Sequence, residues 1–295
     1  METIFGVPVV ALYGQLVLGL INGSFYALLS LGLAVIFGLL RVINFAHGAQ
    51  FMLGAFTAWL LLNHLGVGYW FALILTPLIV GLLGAVIERT MLRRLYAADP
   101  LYGLLFTFGL ALVLEGIFRW YFGAAGKPYT PPSDLQGAAN LGFMRLPKYR
   151  IWVIVASLIM CLSVWALIEK TRLGATLRAA TENPTLVQAF GVNVPLLLTF
   201  TYALGVGLAA FAGVLAAPIQ QVSPLMGSQI IIIVFAVVVV GGMGSIMGAI
   251  VTGYMLGLAE ALTKVYYAEA SNIVIFVIMA VVLLVKPAGL FGKDA

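Results

Sequence analysis

Uncharged apolar stretches long enough to cross a bilayer follow one another through almost the whole chain, and this decides what it can fold into. Ile151–Ile168 and Ile273–Val285 hold no charged residue at all. A membrane helix needs about 20 mostly apolar residues, whereas a barrel strand shows about ten residues of alternating polarity. Neither run alternates. The expected fold class is therefore all-α, a polytopic integral membrane bundle of about eight to nine spans. One domain over 1–295 leaves no room for a large soluble unit. Charged residues make up 8% of the chain against about a quarter in soluble domains.

The expected spans are Leu12–Leu39, His47–Leu62, Phe71–Ile87, Gly103–Phe122, Ile151–Ile168, Leu196–Ala217, Ile230–Val240, Ile246–Leu262 and Ile273–Val285. Met1–Tyr13 carries Glu2 and no Lys or Arg, unlike the basic start of a cleaved signal peptide, so the first span is expected to be retained with its N-terminus outside. The inner loops then hold Arg41, Arg89, Arg93, Arg94, Lys170, Arg172, Arg178, Lys286 and Lys293; the outer loops hold Arg119, Lys127, Arg145, Lys148, Arg150 and Lys264. That excess has the sign of the positive-inside rule. The net charge of +5 does not point to nucleic acid, because the basic residues sit in short clusters beside spans. Tyr69-Trp70, Trp120-Tyr121 and Tyr266-Tyr267 fall at the outer interface. The single Cys161 cannot form an internal disulfide and reads as a small buried or lipid-facing residue.

Two spans are irregular. Asn22-Gly23 interrupts the overlong first stretch, and Ile230–Val240 is too short to cross, stopping at Gly241-Gly242-Met243-Gly244. Interrupted helices need surrounding protein or a water-filled cavity. They mark either a transport pathway, which makes Asn22, Gly241 and Gly242 candidates, or a glycine-lined packing seam. Gly19/Gly23, Gly244/Gly248 and Gly253/Gly257 have the GxxxG spacing of close helix contacts. Asn44, His47 and Gln50 either line a pathway or sit at the interface, and Gln220 and Gln221 either face an outer vestibule or do not. Glu115/Arg119 and Glu260/Lys264 are spaced for helical ion pairs near outer ends. Tyr26–Leu28, Gly32–Ala34 and Gly38 echo in Tyr202–Leu204, Gly207–Ala209 and Gly213, as an inverted repeat would.

Gly123–Arg150, rich in proline, reads as an outer loop, while Glu169–Val194 reads as a cytoplasmic segment with its own caps. Asn183-Pro184 is an N-cap followed by proline at the first helical position, and Gly191 closes the helix. Leu186, Val187 and Phe190 share one face, flanked by Arg172, Arg178 and Glu182. So short a helix needs a partner, either a groove on another protein or the lipid interface.

Enzyme chemistry finds no footing. Gly123–Pro128 and Gly289–Asp294 lack the spacing and Ser/Thr of a phosphate-binding loop, the two histidines make no H-E-x-x-H metal motif, and Gly242–Gly248 is not a G-x-S-x-G elbow. The chain is expected to have no catalytic residue, metal or bound cofactor, and its energy to come from elsewhere. An ion-gradient transporter is the alternative, which calls for convergent intramembrane carboxylates or histidines.

The motifs G-L-I-N-G-S (19–24) with Tyr26-Ala27-Leu28, R-V-I-N-F-A-H-G (41–48), T-R-L-G (171–174) with Arg178-Ala179 and Gly191-Val192-Asn193, Ser223-Pro224 before Met226-Gly227, G-G-M-G-S (241–245) with Gly248, and K-P-A-G-L-F-G (286–292) run in order along the chain. Together they resemble the permease subunit of branched-chain amino-acid-type ABC importers, the LivH-like branch. The resemblance implies a bacterial inner-membrane protein that pairs with a second homologous permease and two cytoplasmic ATPases. The ATPases use the ATP, and a periplasmic binding protein delivers an amino acid or related small solute. It also implies that Thr171–Asn193, Gly174 included, is the element contacting the ATPases.

The charge bias generates a prediction of topology. In a Cys161→Ser background, Thr181→Cys is expected to stay protected from an impermeant thiol reagent in intact cells; labelling from outside reverses the orientation.

Overall fold

The computed structural model describes residues 3–4, 7–40, 42–96 and 98–292, so the topology readings on Glu2, Arg41 and Lys293 lie outside the described residues. After a short pairing of β1 (Thr3–Ile4) with β2 (Val7–Pro8) come α1 (Val9–Leu40), α2 (Ala46–Leu65), α3 (Tyr69–Thr90), a 3₁₀ turn at Leu92–Leu95 and α4 (Pro100–Phe122). The loop after α4 holds a hairpin of β3 (Ala138–Asn140) and β4 (Arg145–Pro147). Then follow α5 (Lys148–Lys170), α6 (Arg172–Glu182), α7 (Pro184–Ala189), α8 (Val194–Gln220), α9 (Met226–Gly241), α10 (Ile246–Tyr266) and α11 (Val274–Val285). Every expected span is a helix.

Six helices, α1, α3, α4, α5, α8 and α10, are long and apolar enough to cross a membrane. α2 is 20 residues long but carries His47 and Gln50; protein surrounds it on most of its length, which is how polar residues are tolerated at that depth. α9, with 16 residues, extends about 24 Å at 1.5 Å per residue, short of the roughly 30 Å hydrocarbon core. α3 and α4 turn Leu78, Leu82, Val86, Leu105, Leu112 and Val113 outward as lipid-facing surface, while α1, α2, α8 and α9 form the centre.

Asn22-Gly23 does not interrupt α1, which is continuous over 32 residues. Gly23 belongs instead to a seam. Cβ atoms added at Gly253 and Gly257 would come within 2.5 Å of the Ala27 and Gly23 backbones, and one at Gly19 within 2.8 Å of the Ala261 side chain. The order of these contacts makes α1 and α10 antiparallel. Bare backbones face each other because lipid offers no hydrophobic drive, so the gain comes from close van der Waals packing. Gly244/Gly248 is not such a pair: Gly244 lies in the turn before α10, against Gly38, and only Gly248 is helical.

Exchanging α1, α2, α3 and α4 for α8, α9, α10 and α11 maps the main contacts onto one another. The α1–α10 contact becomes α8–α3, α2–α4 becomes α9–α11, and the α1–α8 and α2–α9 contacts map onto themselves. At those two self-matching crossings glycine meets glycine: Gly32 with Gly205, and Gly48 with Gly227. The echo between residues 26–38 and 202–213 falls on α1 and α8, the helices this exchange relates.

A Cβ at Gly227 would overlap the Gly48 carbonyl, whereas one at Gly109 would meet nothing within 4 Å. Gly227→Ala is therefore expected to destabilise by about 1–3 kcal/mol, as overpacking does, and Gly109→Ala, in open space inside α4, to leave stability unchanged or raise it by up to about 1 kcal/mol. Thermal unfolding of the two purified variants checks this, and equal melting temperatures would refute the seam.

Candidate functional site

The motif residues Asn44, His47 and Gln50 lie in the core of the helix bundle. All three are buried. Asn44 Nδ2 donates to Gln50 Oε1 at 3.2 Å, and Gln50 Nε2 donates to the Tyr202 hydroxyl of α8 at 3.1 Å. The His47 ring donates from Nε2 to the Leu29 carbonyl of α1 at 3.0 Å and packs over Gly32. Phe45 N–H donates to Thr107 Oγ1 of α4 at 3.1 Å. The short link into α2 thus ties α1, α4 and α8 together through directional bonds. Among the described residues Asn44 Oδ1 and His47 Nδ1 meet no hydrogen-bond donor or acceptor.

A polar cavity opens elsewhere, between α1, α8 and α9. It holds about 420 Å³ and is lined by Asn22, Phe25, Tyr26, Gln220, Met226, Gln229, Ile230 and Ile233. Asn22 and Gln220 are two of the polar residues that the sequence offers for a pathway or an outer vestibule. Gln229 was missed, although Met226, Gln229, Ile230 and Ile233 follow the spacing of one helical face. Among the described residues no ionised side chain lines the cavity. Its three amides offer both donors and acceptors, and its other walls are aliphatic or aromatic. Gln221 lies outside it, exposed at φ +62 beside Gly126, where Val222 pairs with Lys127. Gly241 and Gly242 sit at the opposite end of α9. There Leu290 N–H and Phe291 N–H donate to the Val240 and Gly241 carbonyls, so the K-P-A-G-L-F-G tail caps carbonyls that α9 leaves free. Gly242 adopts φ +95 to admit this tail.

Neither expected i, i+4 ion pair forms. Glu260 accepts the Tyr26 O–H at 2.7 Å instead of meeting Lys264, and the ion pairs among the described residues are Arg93–Glu88 and Arg178–Glu169. Glu115 borders a narrow crevice with Phe108 and Ile231. Tyr69 is buried against protein, accepting from Tyr149 and Trp152.

The capped segment forms as its residues dictate. Asn183 Oδ1 accepts from Leu186 N–H at 3.0 Å, with Pro184 opening α7, and Gly191 takes φ +82 beyond its end. A second cap follows: Asn193 Oδ1 accepts from Leu196 N–H at 3.1 Å and starts α8. Leu186 and Phe190 are 54% and 80% exposed, but Val187 is not part of their face. It turns inward, 8% exposed, and packs with Ala180 of α6 and Val194 of α8 in a small core separate from the main one. Arg172 and Glu182 are exposed. Arg178 bends back to donate to the Ile168 carbonyl at 2.6 Å and pairs with Glu169 at 3.6 Å. Any side chain at Gly174 would overlap that same carbonyl, so the T-R-L-G motif is the sharp corner between α5 and α6.

Beside this segment lies a cluster that the sequence reading did not single out. Glu88, buried in the last turn of α3, receives Arg93 Nε and Nη2 at 3.1 and 2.9 Å, the Tyr96 hydroxyl at 3.1 Å and the Thr199 hydroxyl at 2.7 Å. Arg93 also donates to the Pro195 carbonyl at 3.0 Å and to Thr199. Burial first, then the adjacent Glu88 carboxylate, pushes the Tyr96 phenol well above its usual range and keeps it a donor. The sequence signal was a Glu just past the expected end of the third span, next to Arg89 and five residues before Arg93.

The family model described as the branched-chain amino acid transport system / permease component matches residues 15–283. The chain is 28% identical to the high-affinity branched-chain amino acid transport system permease protein LivH of Salmonella typhimurium, over 95% of each chain. It is 30% identical to the probable branched-chain amino acid transport permease protein LivH of Methanocaldococcus jannaschii, over 93% of this chain and 91% of that one. It is 26% identical to the LivM permease protein of Salmonella typhimurium, over 90% of this chain and 67% of that one. No solved structure matches.

Burial separates two kinds of polar residue, and stability reports it. Gln50→Ala leaves Asn44 without its acceptor, with an expected loss of about 1–3 kcal/mol. Gln229→Ala, at a cavity wall, is expected to stay within about 0.5 kcal/mol. Chemical or thermal unfolding of both variants decides; a cavity variant as unstable as Gln50→Ala would place Gln229 in the packed core.

Proposed function

Because the chain belongs to the family of branched-chain amino acid transport system permease components, we propose that it is the membrane-spanning permease subunit of an ATP-driven importer for amino acids or related small solutes, working in the inner membrane. It is a transport subunit and not an enzyme; separate cytoplasmic ATPases hydrolyse the ATP. The observation that carries this reading is α7. A rigid helix, capped by Asn183 and closed by Gly191, holds Leu186 and Phe190 out from a surface of polar residues. An exposed apolar pair on a fixed mount suits a groove on another protein.

The mechanism follows from the parts. ATP-driven closure of two ATPases displaces α7, and the Ala180/Val187/Val194 core passes that displacement to the start of α8. α8 also carries Gln220, a wall of the polar cavity, so a shift of α8 alters the cavity's shape. A periplasmic binding protein delivers solute to that side. The neutral amides and apolar walls fit a zwitterion with an aliphatic side chain: amides take its carboxylate and ammonium without a fixed charge that would hold it too tightly to leave. A second, homologous permease completes the route. LivH and LivM of Salmonella typhimurium, both similar to this chain, are two permease proteins under one transport-system name. The ion-gradient alternative has less support, because Glu115 and Glu260 do not converge on one site.

Burying Leu186 and Phe190 in a groove gains about 1.5–3 kcal/mol each before association costs. Leu186→Asp with Phe190→Asp is expected to abolish uptake and to release the ATPases in a pull-down, while the permease still inserts. A helix that merely lies on lipid would keep its ATPases and transport normally, and that result would remove α7 from the coupling path.

A further inference from the structure

Glu88 is a buried carboxylate for which the transport reading has no use, placed where α3 meets the beginning of α8. Its two oxygens receive four donors, which saturates a carboxylate. Three of these donors come from its own end of the chain, Arg93 twice and Tyr96. The fourth, Thr199, belongs to α8, and Arg93 reaches across to Pro195 as well. Pro195 and Thr199 directly follow the Asn193 cap and Val194, the residue through which α8 touches α7.

We propose that the Glu88–Arg93–Thr199 cluster is a latch, a set of positioning residues that makes α3 move with α8 when α7 is displaced. This rests on the permease reading above. Two apolar helices in contact can slide past each other, whereas hydrogen bonds of fixed direction at a buried charge resist shear, because sliding strips Glu88 of its Thr199 donor and Arg93 of its Pro195 acceptor while Glu88 stays buried. Beyond the latch, α3 and α8 pack closely where Gly81 meets Ala203 and Gly207 meets Pro77, so a joined end commits the whole pair. The bundle repeats the device at its other end. Exchange of the two halves carries α3–α8 onto α10–α1, and there Glu260 accepts the Tyr26 hydroxyl at 2.7 Å, the same length as Thr199 to Glu88. Each carboxylate stands two helical turns beyond a seam glycine, Gly81 or Gly253. One latch adjoins α7 and the other adjoins the polar cavity, to which Tyr26 contributes.

The test uses the transporter assembled with its ATPases and binding protein in proteoliposomes and measures radiolabelled leucine imported per ATP hydrolysed. Thr199→Val removes one hydroxyl at almost unchanged volume. It is expected to retain its ATPases and their basal hydrolysis while imported solute per ATP falls at least fivefold, with Thr199→Ser restoring the ratio. Glu88→Gln is expected to act in the same direction. Should Glu88→Gln fail to insert, Thr199→Val decides alone. A wild-type ratio in Thr199→Val overturns the latch, and so does loss of the ATPases from it, which would make Thr199 a docking residue. A wild-type complex without any ATP-driven uptake instead overturns the permease reading itself.

Discussion

Close approach of bare helix backbones is the constraint on which this structure depends. Lipid tails are as apolar as leucine, so helices in a membrane gain little by hiding apolar side chains from them. They gain by packing atoms closely, and here the closest packing is made where side chains are absent. Gly19, Gly23 and Ala27 of α1 face Ala261, Gly257 and Gly253 of α10 respectively; Gly48 faces Gly227; Gly32 faces Gly205. These crossings hold α1, α2, α8, α9 and α10 at separations too small for larger residues. The leucines and isoleucines of α3 and α4 are left to face lipid. A central group of helices defined by glycine also shelters short or polar helices that could not stand in lipid alone, α9 and α2 among them.

Polar groups then occupy two distinct settings inside that frame. Asn44, His47, Gln50 and Tyr202 are sealed in the core and bind helices to each other, which makes the link into α2 stiff. Asn22, Gln220 and Gln229 border a cavity and keep their hydrogen-bonding capacity for something else. The same amide chemistry serves as mortar in one place and as a lining in the other, and only the neighbouring backbone distinguishes them. Mechanical continuity has a similar logic. α7 has few contacts with the main body; what joins it to the bundle is the Val187 core and the Asn193 cap, both of which lead into α8.

Much of this was legible in the residues, for reasons that differ between elements. The apolar runs became helices because in lipid every backbone group must bond within its own segment. The Asn183-Pro184 and Gly191 caps are local, involving atoms a few residues apart, so their reading needed no knowledge of the fold. Other readings failed where geometry is set by distant chain. Asn22-Gly23 looked like a break, yet α1 runs through it because α10 covers Gly23. Val187 looked like part of an exposed knob, yet Val194 and Ala180 draw it inward. Glu260 was matched to Lys264 by spacing, but Tyr26, far away in the chain, supplied the better partner.

The amino-acid sequence by itself determined that this is a helical membrane bundle, where its helices lie, the caps of its 169–194 segment and, through the ordered motifs, its family. These follow from hydropathy, spacing and short-range hydrogen bonding, which act within a turn or two of chain. Tertiary structure alone decided which polar residues are sealed and which line a cavity, why the C-terminal K-P-A-G-L-F-G tail ends against α9, and that Glu88 meets Thr199. Each of these depends on two backbones brought together from opposite ends of the sequence. A burial or a hydrogen bond of that kind has no signature in either segment alone, because the energy belongs to the pair.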